Sequence, residues 1–168
     1  MLGERPNGEY AHTLCRSFLY DAWHLPLQQA LAKSTDERIA AIAGKAVKEV
    51  SYHLRTSSEW MIRFGDGTDE SHQRAQQALD ALWTFTGDLF VQDDVHKQMV
   101  TAGIAPDLSP IKAAFDATID KVLAEATLKR PADGFMASGG REGKHSEHLG
   151  FLLAEMQYLQ RAYPGATW

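Results

Sequence analysis

The segment STDERIAAIAGKAVKEVSYHLRTSSEWMIRF, residues 34–64, decides the fold class of this chain. Its start matches a capping box, in which Ser34 and Glu37 can satisfy each other's free backbone amides. Apolar residues then recur at intervals of three and four, which is typical of one face of an α-helix. Gly65 and Gly67 follow and predict the end of the helix. A helix of this length, with no strand-like alternation elsewhere, predicts an all-α protein.

The rest of the chain has the same helical pattern. Ser109 and Pro110 are a favoured N-cap and first helical residue, and Pro164 predicts the end of the last helix. The apolar periodicity predicts further helices that begin at about Glu9, after Thr68 or Asp69, near Val91, at Ser109, and after a glycine-rich loop that ends at Lys144. No linker divides these elements, so we expect a single helical domain over residues 1–168.

Composition excludes several classes of protein. The chain has 17 basic and 22 acidic residues and a net charge of −5, which argues against non-specific binding of nucleic acid. Its single cysteine, Cys15, excludes an internal disulfide and a thiolate metal cluster. No apolar run approaches the roughly 18 residues that span a bilayer, and the start has no signal-peptide core. These features predict a cytoplasmic protein that does not bind a membrane.

Two polar residues interrupt the predicted inward face of the helix in residues 34–64. Glu49 and His53 lie one helical turn apart, in line with the apolar residues Ala46 and Trp60. An acid and a histidine at such positions can be metal ligands, the remains of a ligand set, or an ordinary buried polar pair.

The metal alternative can be tested against the pattern of di-iron carboxylate bundles. Such sites take a Glu from each of two helices and a Glu-x-x-His pair from each of two others. The spacing acid-x-x-His occurs at Glu9/His12, Asp21/His24, Asp69/His72, Asp93/His96 and Glu142/His145. Of these pairs, Asp21/His24 has its acid inward in mid-helix, and Tyr52 occupies the position where Glu49 would need a histidine. Asp21, His24, Glu49 and His53 therefore make half a site, and we favour a hydrogen-bonded polar cluster over a metal centre.

The loop GGREGKH, residues 139–145, raises the question of a phosphate site. It fails the Walker pattern at Ser138 and His145 and does not follow a predicted strand. A basic, glycine-rich loop that leads to a helix can still bind an anion. The candidate residues are Gly139, Gly140, Arg141, Gly143 and Lys144. A flexible loop with solvated charges is the favoured alternative.

Four long motifs resemble a known family. They are NGEYAHTLCRSFLYDAWH, AGKAVKEVSYHLRTSSEWMIRFGDGTDES, ALWTFTGDLF and GREGKHSEHLGFLLAEMQYLQRAYPGATW. Together they are similar to the PaaC-type subunits of ring 1,2-phenylacetyl-CoA epoxidase, an enzyme of aerobic phenylacetate breakdown, over essentially the whole chain. The resemblance implies a ferritin-like fold and a structural, non-catalytic subunit. A related PaaA-type subunit would hold the di-iron centre and the CoA substrate, and electrons from NADPH would arrive through a reductase.

The resemblance also implies roles for the candidate residues. Tyr52 stands where a di-iron helix would carry His, and Asp21 stands where the preceding helix would carry Glu. Asp21, Glu49 and His53 would then be a polar relic, held by mutual pairing or by Lys45 or Lys48. No metal, cofactor or catalytic residue is expected in this chain. The alternatives are a free-standing di-iron oxygenase or ferroxidase that uses Asp21, His24, Glu49 and His53, and a CoA-binding module that uses the loop 139–144.

The chain departs from the family at its start. Members usually begin with two further core helices before the NG-x-(Y/F)-A segment, and here Met1 falls just ahead of that segment. This predicts a fragment of a ferritin-like domain, from a truncated gene or an incomplete chain. The apolar faces of the first two helices would then be partly bare, which predicts poor solubility or association with another copy or with a partner.

Overall fold

The computed structural model describes residues 1–167, and Trp168, the last residue of the predicted domain and of the final motif, lies outside the described residues. Every regular element within that range is helical, which confirms the all-α prediction. The α-helices are α1 (Tyr10–Leu31), α2 (Glu37–Gly65), α3 (Asp69–Trp83), α4 (Asp94–Thr101), α5 (Leu108–Glu125), α6 (Glu147–Met156) and α7 (Tyr158–Ala162). Short 3-10 helices lie at Leu2–Glu4, Gly87–Phe90 and Gly140–Glu142.

Helices α1, α2, α3 and α5 form the bundle. α1 lies along α2 for most of its length, and both helices also pack on α3 and α5. This all-helical arrangement is that of a ferritin-like bundle. Most of the core residues come from α1, α3 and α5: Cys15, Phe18, Leu19, Ala22, Ala75, Leu79, Leu82, Trp83, Phe115, Ile119 and Leu123.

Helix α2 does not begin with the predicted capping box. The N-cap is Asp36, whose Oδ1 accepts hydrogen bonds from the backbone amides of Arg38 and Ile39 at 2.9 and 3.0 Å. The Ser34 hydroxyl instead donates to the carbonyl of Ile104 at 2.8 Å. Ser34 therefore bonds to the segment after α4 and does not form the α2 cap that the local pattern predicted.

The buried face of α2 is also one position away from the predicted one. Glu49 and His53 were expected to point inward, but their side chains are 77% and 49% exposed. The residues that α2 buries are Ala43, Val50, Ser57, Met61 and Gly65. Because α1, α3 and α5 all lie on that side of α2, the neighbouring apolar stripe fills the core and the stripe through Glu49 does not.

The starts of α3 and α5 differ in how well the sequence predicted them. α3 is capped as expected by Thr68, which forms a reciprocal capping box with Ser71. α5 begins at Leu108, with Asp107 and not Ser109 as its N-cap. The Asp107 carboxylate accepts from the Ser109 amide at 2.8 Å, and a charged acceptor is the stronger cap.

The last predicted helix is two short helices that contribute nothing to the core. α6 and α7 meet at Gln157, and neither contains a buried residue. Their large apolar side chains are exposed: Phe151, Leu152, Leu153, Met156, Tyr158 and Leu159. Tyr163, directly after α7, is exposed as well. Within residues 1–167, no helix combines the length and the apolar character needed to cross a bilayer.

Candidate functional site

The centre of the candidate site is a buried carboxylate at the contact between α1 and α2. Asp21 is 8% exposed, and the hydroxyl of Ser57, which is 3% exposed, donates to its Oδ2 at 2.9 Å. The two side chains line an open cleft of about 350 Å³. Tyr52 and His53 also line this cleft, together with Leu14, Ser17 and Thr56.

Burial dominates the electrostatics of this cleft. It raises the pKa of Asp21, and the hydrogen bond from Ser57 and the charge of His53 offset only part of that rise. Burial likewise lowers the pKa of His24, with a further lowering from the charge of His53. The pKa of Tyr20 is raised by burial and by the neighbouring charge of Asp21. The environment therefore favours the neutral form of each of these side chains.

His24 is engaged on its own helix. Its Nε2 lies 2.8 Å from the amide nitrogen of Gln28, one turn further along α1. Its ring stacks on Trp23, with ring centroids 6.0 Å apart, and lies 5.1 Å from the ring of Tyr20. These contacts fix the imidazole among aromatic side chains of α1.

The other predicted members of the cluster, on α2, are far more exposed than Asp21. His53 Nε2 is 3.8 Å from Glu49 Oε1, but both side chains are largely in solvent. Tyr52 is 56% exposed, and the guanidinium of Arg55 lies 5.3 Å from the centre of its ring. Within residues 1–167, neither Lys45 nor Lys48 forms an ion pair with the cluster. The structure thus brings Tyr52 and His53 to the cleft of Asp21 and leaves Glu49 outside it.

The partner of Asp21 was missed by the sequence analysis. Ser57 lies on the same face of α2 as Val50 and Met61, at the spacing of seven and four residues that marks a buried stripe. A small hydroxyl in such a stripe needs a hydrogen-bond partner, and this requirement was the available signal. Nothing in the sequence alone identified that partner as Asp21.

The residues present do not fit a di-iron centre. Such a centre needs carboxylates and histidines from four helices that converge on one point. The inward carboxylate of Asp21 faces an alcohol, His53 is half exposed and lines the same cleft, and Glu49 lies outside it. Across the described part of the chain, no group of three or more His, Cys, Asp or Glu side chains is arranged to hold a metal ion.

Comparison with known proteins agrees with the long sequence motifs. Residues 1–168 match the family described as phenylacetic acid catabolic protein. The chain belongs to this family. It is 46% identical over 168 residues to a protein of Escherichia coli strain K12 that is named as one of the subunits of 1,2-phenylacetyl-CoA epoxidase. The match covers 100% of this chain and 68% of that relative.

In this member of the phenylacetic acid catabolic protein family, the glycine-rich loop is held by carboxylates of the same chain. Asp88 Oδ1 accepts from the backbone amide of Gly140 at 3.2 Å. Arg141 lies 3.6 Å from Asp93, and Lys144 lies 3.7 Å from Glu142. Gly139 and Gly143, at the two ends of the 3-10 helix, have φ of 106° and 84°, which favours glycine at both positions. An external anion at this loop would compete with Asp88 and Asp93.

Proposed function

We propose that this chain is a non-catalytic structural subunit of a multicomponent phenylacetyl-CoA epoxidase. Its membership of the phenylacetic acid catabolic protein family supports this role. So does its identity of 46% to a protein named as a subunit of that epoxidase. The complex would epoxidise the CoA-activated aromatic ring with O₂ in the cytoplasm, as part of phenylacetate catabolism.

One observation carries the non-catalytic part of the proposal. At the contact of α1 and α2, where a di-iron bundle would gather its ligands, Asp21 is hydrogen-bonded to the hydroxyl of Ser57 at 2.9 Å. A neutral alcohol is a weak ligand for iron compared with the carboxylates and imidazoles of such bundles. Glu49 and His53, which would be needed to extend the donor set, are 77% and 49% exposed.

The proposed partner is a PaaA-type catalytic subunit, which would hold the di-iron centre and the CoA thioester. This chain would carry no cofactor, and it would stabilise the helices of the partner through a large helical interface. These roles require that the iron and the activity belong to the partner subunit. This chain then affects only how well the partner folds and assembles.

The test is co-expression with a PaaA-type subunit, followed by co-purification, iron analysis by mass spectrometry and epoxidation assays with the reductase added. We expect a stable complex whose iron is bound by the partner, and no tightly bound iron in this chain purified alone. One or two irons held by this chain alone would instead indicate a free-standing di-iron oxygenase or ferroxidase.

A variant separates a structural from a catalytic role for the buried carboxylate. Asn at position 21 can still accept a hydrogen bond from Ser57, and it removes a buried charge. We expect the Asp21→Asn complex to keep its iron content and to stay within about twofold of the original rate. A complex that assembles normally but loses iron or activity in this variant would contradict the proposal.

A further inference from the structure

A second cleft shares no lining residue with the one at Asp21. It has a volume of about 390 Å³ and opens between the N-terminal segment and the start of α6. Residues 3–7 and Arg16 form one side of it, and His148, Leu149 and Leu152 form the other. A concave site with a few polar groups beside apolar side chains is the usual form of a small-molecule site, and this volume lies in the usual range.

Arg5 supplies a positive charge that nothing in the described chain neutralises. Its guanidinium lies 4.5 Å from the centre of the Phe85 ring, which holds the side chain in place. Its Nε is cut off from solvent and has no hydrogen-bond partner. Within residues 1–167, Arg5 forms no ion pair with a carboxylate. A partly desolvated guanidinium in this state gains more from an incoming anion than an exposed one does.

Arg16 is fixed beside it by neutral acceptors. One of its terminal nitrogens donates to the carbonyl of Arg5, and the other donates to Asn7 Oδ1 at 2.6 Å. Those oxygens orient the guanidinium but leave its charge in place and three of its five N–H groups unused. Arg16 likewise forms no ion pair with a carboxylate in the described residues.

Glu4, the acidic side chain that lines this cleft, is hydrogen-bonded to the start of α6. Glu4 Oε1 accepts from His145 Nδ1 at 2.9 Å, and its Oε2 accepts from the amide and the hydroxyl of Ser146 at 2.6 and 2.9 Å. These bonds join the N-terminal segment to the start of α6, so the two sides of the cleft are held together. The Glu4 carboxylate accepts these hydrogen bonds and, within the described residues, forms no ion pair with Arg5 or Arg16. The charge of both guanidiniums is therefore available to a bound anion.

We propose that this cleft binds a small organic anion. The anionic group is held by Arg5 and Arg16, since a guanidinium offers paired N–H donors that match a carboxylate or a phosphate. The apolar part of the ligand lies against Leu149 and Leu152, which are half-buried and 54% exposed and would lose further surface to water on binding. The ligand is thus an organic carboxylate or phosphate ester with an apolar substituent.

The first test needs no variant. Phenylacetate, phenyl phosphate and inorganic phosphate are each titrated into the full chain by calorimetry, beside the neutral isostere phenylacetamide. We expect at least one of the two aromatic anions to bind at about 1 mM or tighter, about tenfold better than phenylacetamide, and to weaken as salt is added. A preference between the two anions identifies the head group as carboxylate or phosphate. Failure of both aromatic anions to bind by about 10 mM, or equal binding of phenylacetate and phenylacetamide, would overturn the proposal.

The second test assigns the binding to the cleft. Arg5→Gln should weaken binding of the preferred anion about tenfold. The affinity of Arg5→Lys should lie between those of the original chain and Arg5→Gln, because lysine keeps the charge without the paired donors. Arg38, on the exposed start of α2, forms no ion pair in the described residues, and Arg38→Gln is the matched control. Equal losses in Arg5→Gln and Arg38→Gln would reduce the effect to net charge and contradict the site. If Arg5→Gln does not fold, the isostere comparison decides the proposal.

Discussion

At the scale of single residues, the hydrogen bond from Ser57 to Asp21 joins α1 to α2 between two buried side chains. A carboxylate removed from water is tolerated when it is hydrogen-bonded, and leaving it without its donor costs the desolvation energy of the group. This one contact therefore matters more for stability than an exposed contact such as that between Glu49 and His53, 3.8 Å apart.

We predict that Ser57→Ala lowers the free energy of unfolding by about 1–3 kcal/mol at pH 7 in urea denaturation. The hydrogen bond lowers the pKa of Asp21, so its loss raises that pKa further and the penalty applies while the group is charged. The variant should therefore recover part of its stability as the pH falls and Asp21 takes up a proton.

The control for this prediction is Ser51→Ala, on the same helix. The Ser51 hydroxyl is exposed and donates to the Val47 carbonyl of its own helix at 2.7 Å. Its removal should change the free energy of unfolding by less than about 0.5 kcal/mol. Equal effects of the two substitutions would mean that the bond to Asp21 contributes nothing beyond a helical serine.

The pKa of Glu4 predicts how the free energy of unfolding falls at acidic pH. Burial by itself would raise the pKa of Glu4, but hydrogen bonds from His145, Ser146 and the amino group of Met1 outweigh it and lower the pKa from 4.5 to about 2. A carboxyl whose pKa is lowered by folding contributes stability above the pKa of the unfolded chain. That contribution is lost as the pH falls from about 4.5 towards 2.

We expect Glu4→Gln to remove this part of the pH dependence. The original chain should lose up to roughly 3 kcal/mol more than the variant between pH 5 and pH 2, as measured by urea denaturation at a series of pH values. Glu37→Gln is a suitable control, because Glu37 is exposed at the start of α2 and makes no side-chain hydrogen bond in the described residues. If the free energy of unfolding of Glu4→Gln and of the original chain fell equally between pH 5 and pH 2, Glu4 would not be the source of this pH dependence.

At the scale of the elements, two glycines of α2 have opposite surroundings. A Cβ at Gly65, in the last turn, would overlap the backbone carbonyl of Ala126 at the end of α5. A Cβ at Gly44, in the first third of the same helix, would meet nothing within 4 Å. The first glycine permits two helix ends to touch, and the second only weakens the helix.

This contrast yields a matched pair of substitutions. Gly65→Ala should destabilise the protein by about 2 kcal/mol or more, because backbone must move to admit the methyl group. Gly44→Ala should stabilise it by about 0.5–1 kcal/mol, the difference in helix propensity. Thermal unfolding followed by circular dichroism measures both, and a stable Gly65→Ala protein would show that α2 and α5 do not meet closely.

At the scale of the whole molecule, apolar side chains cluster on α6 and α7 without being buried by the bundle. Phe151, Met156 and Tyr158 are 67%, 66% and 63% exposed. Exposed apolar side chains at this density promote association in water. In the proposed complex, such a surface is available to a partner protein.

We predict that the purified chain associates with itself or aggregates as its concentration rises. Light scattering should report a mass well above 18.6 kDa at high concentration. Phe151→Ser combined with Met156→Ser should reduce the apparent mass, since it removes exposed apolar area and touches no core residue. Val91→Ser and Val95→Ser, which are also exposed but lie elsewhere, serve as the matched control. A monodisperse monomer of the unmodified chain at high concentration would contradict this prediction.

The sequence by itself determined the fold class, the approximate extents of the long helices and the family. Helical periodicity is local, so residues 34–64 predict a helix without reference to the rest of the chain. The four apolar residues that recur along α5, Ile111, Phe115, Ile119 and Val122, are all buried, as that periodicity requires. Long motifs likewise identify a relative without any geometry. Asp21 was correctly expected to point inward because it lies among the apolar residues of α1.

Only the tertiary structure decided which of two adjacent stripes of α2 faces the core, and so which polar side chains meet. The two stripes are similarly apolar, and the positions of α1, α3 and α5 choose between them; the choice buries Ser57 and turns Glu49 and His53 towards solvent. The same holds for the cap of α2, where Asp36 replaced the predicted Ser34. At the start of α5, by contrast, Asp107 is the cap in place of the predicted Ser109, which is a local choice of the stronger cap. The buried stripe and the cap of α2 depend on contacts between residues far apart in the chain, such as Ser34 with Ile104, which no local pattern contains.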